Sequence, residues 1–467
     1  MAEEFDVVVI GGGPGGYAAA LYGAAAGLRI AVVEKDKVGG TCLHRGCIPA
    51  KEFLETASVY RQVATAKEFG VVSDAPTIDF AVSQARKQRI IDGQWKGLQT
   101  LMKRRKITTV AGTGRLDQGR TVTVSDGSEL KGTHVILATG SSPKTIPGFA
   151  VDGRVVLTSD EFLDLDHLPA TAAVIGGGAI GCEFASTMAD LGVKVTVLEV
   201  LPKILPGCDR DVAEVVVRSF KKRGIDVRTG VTDLAHQPGD QGTTLTFGQG
   251  ESLQVDMVVL SVGRRPRSDE LFGEGVDVEV DARGFVRVDD ELRTTDEGVY
   301  AVGDLISTAA GIHPALAHVG FAEGMRVIKQ ILGEPAPPID YLNVPWCIYT
   351  HPEVAFVGLS EEAAVEAGYE VVSKKDKFIG NGRAAILGDT DGLVKVIAEK
   401  GADGKAGRIL GVHMVGPWVT EQLGQGYLAV NWEATVDDVA ALIQPHPTLS
   451  EVFGETMLSL TGRGLHT

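Results

Sequence analysis

The sequence predicts an α/β protein with two doubly wound parallel-sheet units and a smaller α+β unit at its C-terminal end. Three observations predict it. A strand, glycine cluster, Ala-rich helix and second strand ending in Glu occur twice, as FDVVVIGGGPGGYAAALYGAAAGLRIAVVE (residues 5–34) and AAVIGGGAIGCEFASTMADLGVKVTVLE (172–199). The first glycines of the two copies, Gly11 and Gly176, lie 165 residues apart, a domain-sized repeat and not a solenoid period. Glycine makes up 59 of 467 residues, about 13% against a usual 7%, which suits a chain with many tight turns and close approaches of backbone to ligand.

At roughly 150 residues per domain the length accommodates about three units, each able to bury a core. No stretch approaches the roughly 18 apolar residues of a membrane span. No basic or Arg-rich leader precedes the strand-like run at Phe5, so no targeting peptide and a cytoplasmic location are expected. The charge balance is 45 basic against 61 acidic residues, a net of -16, which disfavours nucleic acid as a partner. Five cysteines in so long a chain do not make a disulfide scaffold, and any cystine is expected to be catalytic.

In order along the chain, the expected units are residues 1–150, 151–275, a central segment 276–346 and a last unit 347–467. Each glycine copy opens one of the first two. Residues 52–106 are charge-studded and helix-favouring, and the alternating runs RTVTVSD and THVILATG read as strands. The Pro-rich GEPAPPIDYLNVP marks the boundary before residue 347. Beyond it, GLVKVIAE and RILGVHMVG read as strands among helical pieces, an α+β pattern.

Gly11, Gly13 and Gly16 form G-x-G-x-x-G between a strand and a helix. These glycines permit the tight turn, the approach of a pyrophosphate and close helix–strand packing, and the helix N-terminus offers free N–H groups to phosphate. Glu34, 23 residues after Gly11, ends the next strand where a carboxylate holds a ribose diol. Gly176, Gly178 and Gly181 repeat the fingerprint, with Glu199 at the same spacing. A carboxylate there repels a 2′-phosphate and so favours NAD over NADP. Two dinucleotide sites on one chain suggest electron transfer between nicotinamide and flavin.

Cys42 and Cys47 lie in GGTCLHRGCIPAK (39–51). On a continuous helix, positions i and i+5 stand about 7.5 Å apart along the axis. Cystine Cα atoms are about 4.4–6.8 Å apart, so a bridge needs a distorted turn. A strained pair is an oxidising pair, suited to catalysis. A metal site needs two further ligands at comparable spacing, and none is nearby, so no metal is expected. The plain alternative is two buried cysteines beside a glycine loop. Cys182, Cys208 and Cys347 have no partner pattern and are expected to be packed thiols. Lys51 follows Cys47 by four residues, about one helical turn, and either shares its face or is a solvated surface lysine.

His446 and Glu451 lie in QPHPTLSE. Thiolate chemistry needs a base, which imidazole supplies, and a carboxylate would fix its tautomer. The alternative is equally concrete: Thr448-x-x-Glu451 fits a capping box, in which Glu451 merely caps a helix.

Two G-x-G-x-x-G units, a C-x4-C pair after the first and a C-terminal HPTLSE together resemble the flavin-dependent pyridine nucleotide–disulfide oxidoreductases over essentially the whole chain. GGTCLHRGCIP, HPALAH and HPTLSE are most similar to the members that oxidise dihydrolipoyl groups. The resemblance implies two Rossmann-like dinucleotide-binding domains, a central FAD-associated segment and a C-terminal dimerisation domain. It implies FAD on Gly11, Gly13 and Gly16, with Glu34 on the adenosine ribose and Thr41, Gly112, Thr139, Gly140, Ser141, Asp304 and Ala317 as further FAD positions. Lys51 matches a lysine beside the flavin. NAD would take Gly176, Gly178, Gly181, Glu183, Glu199 and Gly263, Glu183 also matching the usual carboxylate partner of Lys51. Cys47 would face the flavin, Cys42 would exchange with substrate, and His446 with Glu451 would serve the cysteines of the other subunit of a homodimer.

The implied reaction oxidises protein-bound dihydrolipoyl groups with NAD+, the partner being a lipoylated protein of a 2-oxo acid dehydrogenase complex or of a glycine cleavage system. The chain departs from the family pattern at His44-Arg45, where Asn-Val is frequent, at Ala50 in place of Ser or Thr, and at Gln444 in place of a second His. No departure removes a reacting group. The rival reading is an NADH- or NADPH-dependent reductase of another low-molecular-weight disulfide, against which Glu199-Val200-Leu201 offers no basic group for NADPH. A tethering subunit with an idle site is a third, which the intact Cys42, Cys47 and His446 oppose.

Overall fold

The computed structural model describes residues 2–239, 242–308 and 313–466. Its α/β layering is the one the repeat predicts. Consecutive Val7, Val8 and Val9 are all fully buried, so the strand Glu3–Ile10 is covered on both faces, as a central parallel strand must be. Parallel neighbours extend from it in the order Thr108–Ala111, Ile30–Glu34, Glu3–Ile10, Glu129–Leu137 and Val299–Ala301. The hairpin Gly114–Asp117 and Thr121–Val124 adds antiparallel strands beside Glu129–Leu137.

The central segment completes this first layer. It supplies the strand Val299–Ala301 and the helix Ala317–Ile331, which lies on the helix Pro14–Ala25. The two helices touch backbone to backbone: a side chain at Gly324 would strike the carbonyl oxygen of Gly15. That contact explains small residues on both surfaces.

The second sheet repeats the plan with Asp226–Arg228, Lys194–Leu198, Thr171–Ile175, Met257–Leu260 and Val156–Leu157, all parallel. A three-stranded antiparallel sheet, Ala235–Pro238, Thr243–Phe247 and Glu251–Val255, is attached. The last unit is a five-stranded antiparallel sheet in the order Trp346–Ile348, Glu353–Gly358, Ala406–Gly416, Leu393–Lys400 and Val371–Lys377. Helices Val419–Asn431 and Glu451–Leu460 pack on it.

One apolar cluster crosses all three units. Ala50 and Phe53 of the helix Cys47–Thr65 meet Phe184 and Met188 of the helix Ala179–Asp190 and Ile348 and Phe356 of the last sheet. Ion pairs reinforce the junction. Buried Lys395 binds Asp209 at 3.0 Å, Asp211 at 2.8 Å and Glu361 at 2.6 Å. The units therefore meet through a continuous core, and the site described next sits where they meet.

Candidate active site

Gly11 has φ +104°, and a side chain there would strike the carbonyl oxygen of Ala138 in the neighbouring strand turn. A side chain at Gly16 would strike the carbonyl oxygen of Gly11, so the helix packs on the turn that starts it. Gly13, in contrast, faces open space at the N-terminus of the helix Pro14–Ala25. That space belongs to a cavity of about 630 Å³. Gly11, Gly13, Glu34, Thr41, Gly112, Thr139, Gly140, Ser141, Asp304 and Ala317 line it, as do Cys42, Cys47, Lys51 and Glu183. Gly16 lies outside the lining, because its role is packing.

Glu34 accepts the N–H of Gly12 at 2.7 Å and that of Asp36 at 2.9 Å. Burial raises its carboxyl above the ordinary range, and the bond from Gly12 opposes this. At the far side of the cavity, the Ser141 hydroxyl donates to Asp304 at 2.6 Å and receives the Arg264 Nε–H at 2.7 Å.

The dithiol sits at a break between helices. The short helix Gly40–Arg45 ends at Gly46, where φ is −148° and ψ −111°, and the 19-residue helix Cys47–Thr65 begins. The spacing objection to a bridge therefore disappears, since Cys42 and Cys47 do not share one helix. The Cys42 thiol hydrogen-bonds to the Cys47 sulfur. That bond, opposed by burial and aided by the Lys51 ammonium, holds Cys47 down to about 7. Its place as the first residue of a long helix adds the favourable helix dipole. Cys42 is raised, because it gives the hydrogen bond and is buried.

Lys51 Nζ binds both oxygens of Glu183, at 2.8 and 2.7 Å, and lies 4.8 Å from the centre of the Tyr349 ring. The Glu183 side chain is 5% exposed and that of Lys51 35%. The Tyr349 N–H donates to Glu183 at 2.9 Å, so the carboxylate is fixed from two units while it holds a lysine from a third. Glu183 lines this cavity and holds Lys51 from the helix Ala179–Asp190, which starts at the second glycine turn.

The second glycine unit repeats the first. Gly176 has φ +109°, a side chain at Gly181 would strike its carbonyl oxygen, and Gly178 faces open space. Glu199 accepts the N–H of Gly177 at 2.5 Å and of Leu201 at 2.7 Å. The Ser261 hydroxyl, beside the Gly176 turn, is buried and has no partner among the described residues. Gly263, at φ +104°, follows two residues later.

His446 and Glu451 lie elsewhere. His446 Nδ1–H donates to Glu451 Oε1 at 2.8 Å, and its side chain is 79% exposed. Glu451 Oε2 accepts the Thr448 N–H at 2.7 Å. Glu451 is the first residue of the helix Glu451–Leu460, and the capping residue is Ser450, with no side-chain cap bond. The Thr448 hydroxyl donates to the Pro445 carbonyl instead. The capping box is thus not formed. One half of its logic survives, a carboxylate satisfying a backbone N–H, while its other oxygen orients the imidazole. Neither residue lines the cavity that holds Cys42 and Cys47 of the same chain.

The residues fit the implied cofactors. The cavity has the volume of a large-ligand site, and both helix N-termini open onto space that a side chain at Gly13 or Gly178 would occupy. Sequence reasoning missed Tyr17, whose phenol is pushed up to about 12 by burial and by Cys42 and Cys47 beside it. It also missed Tyr349, Arg264 and Arg267, which carry no motif of their own. Cys347 was expected to be a packed thiol. It does pack against the apolar core of the last unit, and it also lines the cavity, half-buried and pushed up to about 11 chiefly by burial.

Comparison with known proteins agrees with this geometry. The pyridine nucleotide-disulphide oxidoreductase profile matches residues 5–324, and the profile of that family's dimerisation domain matches residues 344–457. The chain is 39% identical to the dihydrolipoyl dehydrogenase of Bacillus subtilis, over 100% of both chains. It is 37% identical to that of Haloferax volcanii, over 100% of this chain and 98% of the other. Among solved structures, LpdA of Mycobacterium tuberculosis superposes with a TM-score of 0.89 at 27% identity, covering 98% of this chain and 100% of that one. The HOCl-induced flavoprotein disulfide reductase RclA of Escherichia coli gives 0.85 at 26% identity, covering 97% and 99%.

Proposed function

The chain belongs to the pyridine nucleotide-disulphide oxidoreductase family, and we infer from that premise that it acts as a dihydrolipoyl dehydrogenase, oxidising dihydrolipoyl groups to lipoyl groups and reducing NAD+ to NADH. The observation that carries this reading is the Cys42–Cys47 dithiol in one cavity with Lys51, Glu183 and the first glycine turn. FAD, held at the first glycine turn, would supply the two-electron acceptor in that cavity, and the second glycine turn would hold NAD+.

The side chains divide the remaining work. In the oxidised enzyme a substrate thiolate attacks Cys42 of the Cys42–Cys47 disulfide, forming a mixed disulfide and releasing Cys47 as thiolate. The substrate's second thiolate attacks the mixed disulfide, closing the lipoyl ring and releasing Cys42, which takes a proton. Cys47 leaves well because its thiolate is stabilised by Lys51 and the helix N-terminus, and Cys42 adds its hydrogen bond once the second thiolate has released it. Lys51, held by Glu183, keeps a positive charge beside that thiolate.

His446 accepts the substrate thiol protons at Nε2, since Glu451 occupies Nδ1–H. The dyad's exposure, and its absence from the cavity of its own chain, support a site shared across a homodimer. The chain carries a dimerisation domain, and no described helix is long and apolar enough to cross a membrane. The proposed partner is a lipoylated protein of a 2-oxo acid dehydrogenase complex or a glycine cleavage system, met in the cytoplasm, where a reducing environment suits a working dithiol.

Purified protein assayed with dihydrolipoamide and either NAD+ or NADP+ tests this. Turnover with NAD+ that exceeds that with NADP+ is expected. Turnover of another disulfide with NADPH, and none of dihydrolipoamide, overturns the reading.

A further inference from the structure

Four arginines line the cavity: Arg45, Arg264, Arg265 and Arg267. Three have a carboxylate. Arg45 pairs with Asp36, Arg264 lies 3.6 Å from Asp304, and Arg265 lies 3.3 Å from Asp269. Arg267 differs. Among the described residues its guanidinium joins no ion pair and no hydrogen bond, although the side chain is half-buried. Only its backbone is tied down, the N–H to the Gly140 carbonyl at 2.9 Å and the carbonyl to the Thr139 hydroxyl at 2.7 Å. Both bonds go to the turn lining the cavity, so the base of the side chain is fixed beside it.

The surroundings disfavour this charge. Burial, then Arg264 and Arg45, hold the Arg267 guanidinium below its ordinary range, with Asp160 and Glu34 opposing them. Glu34 is already committed to the N–H groups of Gly12 and Asp36. A half-buried cation among cations, with no protein acceptor for its donors among the described residues, is stabilised when an anion joins it. The anionic part of FAD is its pyrophosphate, since the adenosine and the oxidised flavin ring are neutral. A planar guanidinium offers two parallel N–H groups that match phosphate oxygens.

We propose that Arg267 binds the pyrophosphate of FAD, as a second grip alongside the helix N-terminus at Gly13. This rests on the assignment of the cavity to FAD. It places a binding residue outside every motif of the sequence, on the strand turn that leaves the second glycine unit. Arg45 and Arg264, already neutralised by Asp36 and Asp304, set the field and are not the ligand.

The test is titration of FAD-stripped protein with FAD, followed by flavin fluorescence, for the unmodified chain and for Arg267→Asn, Arg267→Lys and Arg287→Gln. Arg287 is exposed and removes one positive charge away from the cavity. Loss of a charge-assisted contact predicts a Kd about 10- to 100-fold higher for Arg267→Asn, with an intermediate value for Arg267→Lys. The salt dependence of FAD binding should become shallower in Arg267→Asn. The Tm of the stripped Arg267→Asn protein should be unchanged or higher, because a like-charge contact is relieved, while that of the FAD-loaded protein falls. An FAD Kd within twofold of the unmodified chain overturns the proposal. So does an equal loss in Arg287→Gln, which marks a general field, or a lower Tm of the stripped variant, which marks a structural residue. If the unmodified stripped chain binds no FAD, the assignment of the cavity itself fails and the proposal with it.

Discussion

At Gly11 and again at Gly176 the backbone takes the same path. The φ angles are +104° and +109°, and the strand-end carboxylates Glu34 and Glu199 accept the N–H of the next glycine at 2.7 and 2.5 Å. The chain then returns over each turn, by Gly39 N–H to the Gly12 carbonyl at 2.8 Å and by Leu205 N–H to the Gly177 carbonyl at 2.7 Å. The copies part after that contact. In the first, two positive-φ glycines, Gly39 and Gly40, admit the short helix that carries Cys42 into the cavity. In the second, the returning chain packs Cys208 away from solvent, where its thiol donates to the Asp209 carbonyl at 3.3 Å and burial pushes it up to about 12. A cysteine stands at almost the same place in both copies. Only the one in the first copy, Cys42, faces a cavity with a second cysteine, Cys47, beside it, and that second thiol is the one held down to about 7. The repeat thus supplies nucleotide grip, and the segment that follows decides whether redox chemistry is added.

Exchanging the equivalent cysteines tests that division most severely. Cys47→Ser or Cys42→Ser should abolish dihydrolipoamide turnover, while Cys208→Ser should retain it and lower Tm by the equivalent of about 1 kcal/mol. Comparable activity loss in all three, by steady-state assay, would break the comparison.

The glycine turns come next. Alanine at a positive φ costs roughly 1–2 kcal/mol before any clash. Gly11→Ala should therefore yield protein with little bound flavin, measured by absorbance after denaturation. Gly176→Ala should keep its flavin and show a raised KM for NAD+. Loss of flavin from both variants would mean that the two turns do not serve separate ligands.

His446→Gln and Glu451→Gln should each lower kcat roughly 10²-fold or more with flavin retained. Co-expressed Cys42→Ser and His446→Gln chains should regain activity above either parent, because a mixed dimer can assemble one complete site. No regain would place dyad and dithiol on one chain or make the dyad idle.

Glu199→Ala should narrow the preference for NAD+ over NADP+, by about tenfold, or 1.4 kcal/mol. Glu34→Ala should leave that preference alone and weaken FAD binding.

The smallest effect concerns pH. With Cys47 lowered to about 7, chiefly by the Cys42 hydrogen bond, the reduced protein should gain thiolate absorbance with a midpoint near pH 7 and lose it as pH falls below. Removing the donor in Cys42→Ala should move that midpoint upward, towards the ordinary thiol range near 8.5. An unmoved midpoint would mean that Lys51 and the helix N-terminus, without Cys42, account for the lowered value.

Much of this architecture is legible along the chain because it is written in short-range contacts. The clash of a side chain at Gly16 with Gly11, and of one at Gly181 with Gly176, spans five residues, so the turn demands glycine whatever surrounds it. The strands of residues 7–10 and 172–175 are continuous Val, Ile and Ala runs because both faces are covered. Glu451 was ambiguous because a capping box and an oriented imidazole use the same spacing, and only the position of the helix start, two residues too late for Thr448 to cap it, separates them.

Other features leave no local trace. Lys51 and Glu183 stand 132 positions apart and the Tyr349 N–H reaches Glu183 across 166, with no periodicity to announce either contact. That Cys347, a thiol packed on the core of the last unit, also borders the cavity could not be read locally, because exposure to a cavity is a property of neighbours, not of the residue. Sequence by itself therefore determined the two dinucleotide turns, the α/β class and the separation of a C-terminal α+β unit, since turn sterics and burial patterns act within a few residues. Tertiary structure alone decided which cysteine becomes a thiolate, which carboxylate holds Lys51 and which arginine is left without an anion, because those outcomes depend on charges and hydrogen-bond donors brought together from units far apart in the chain.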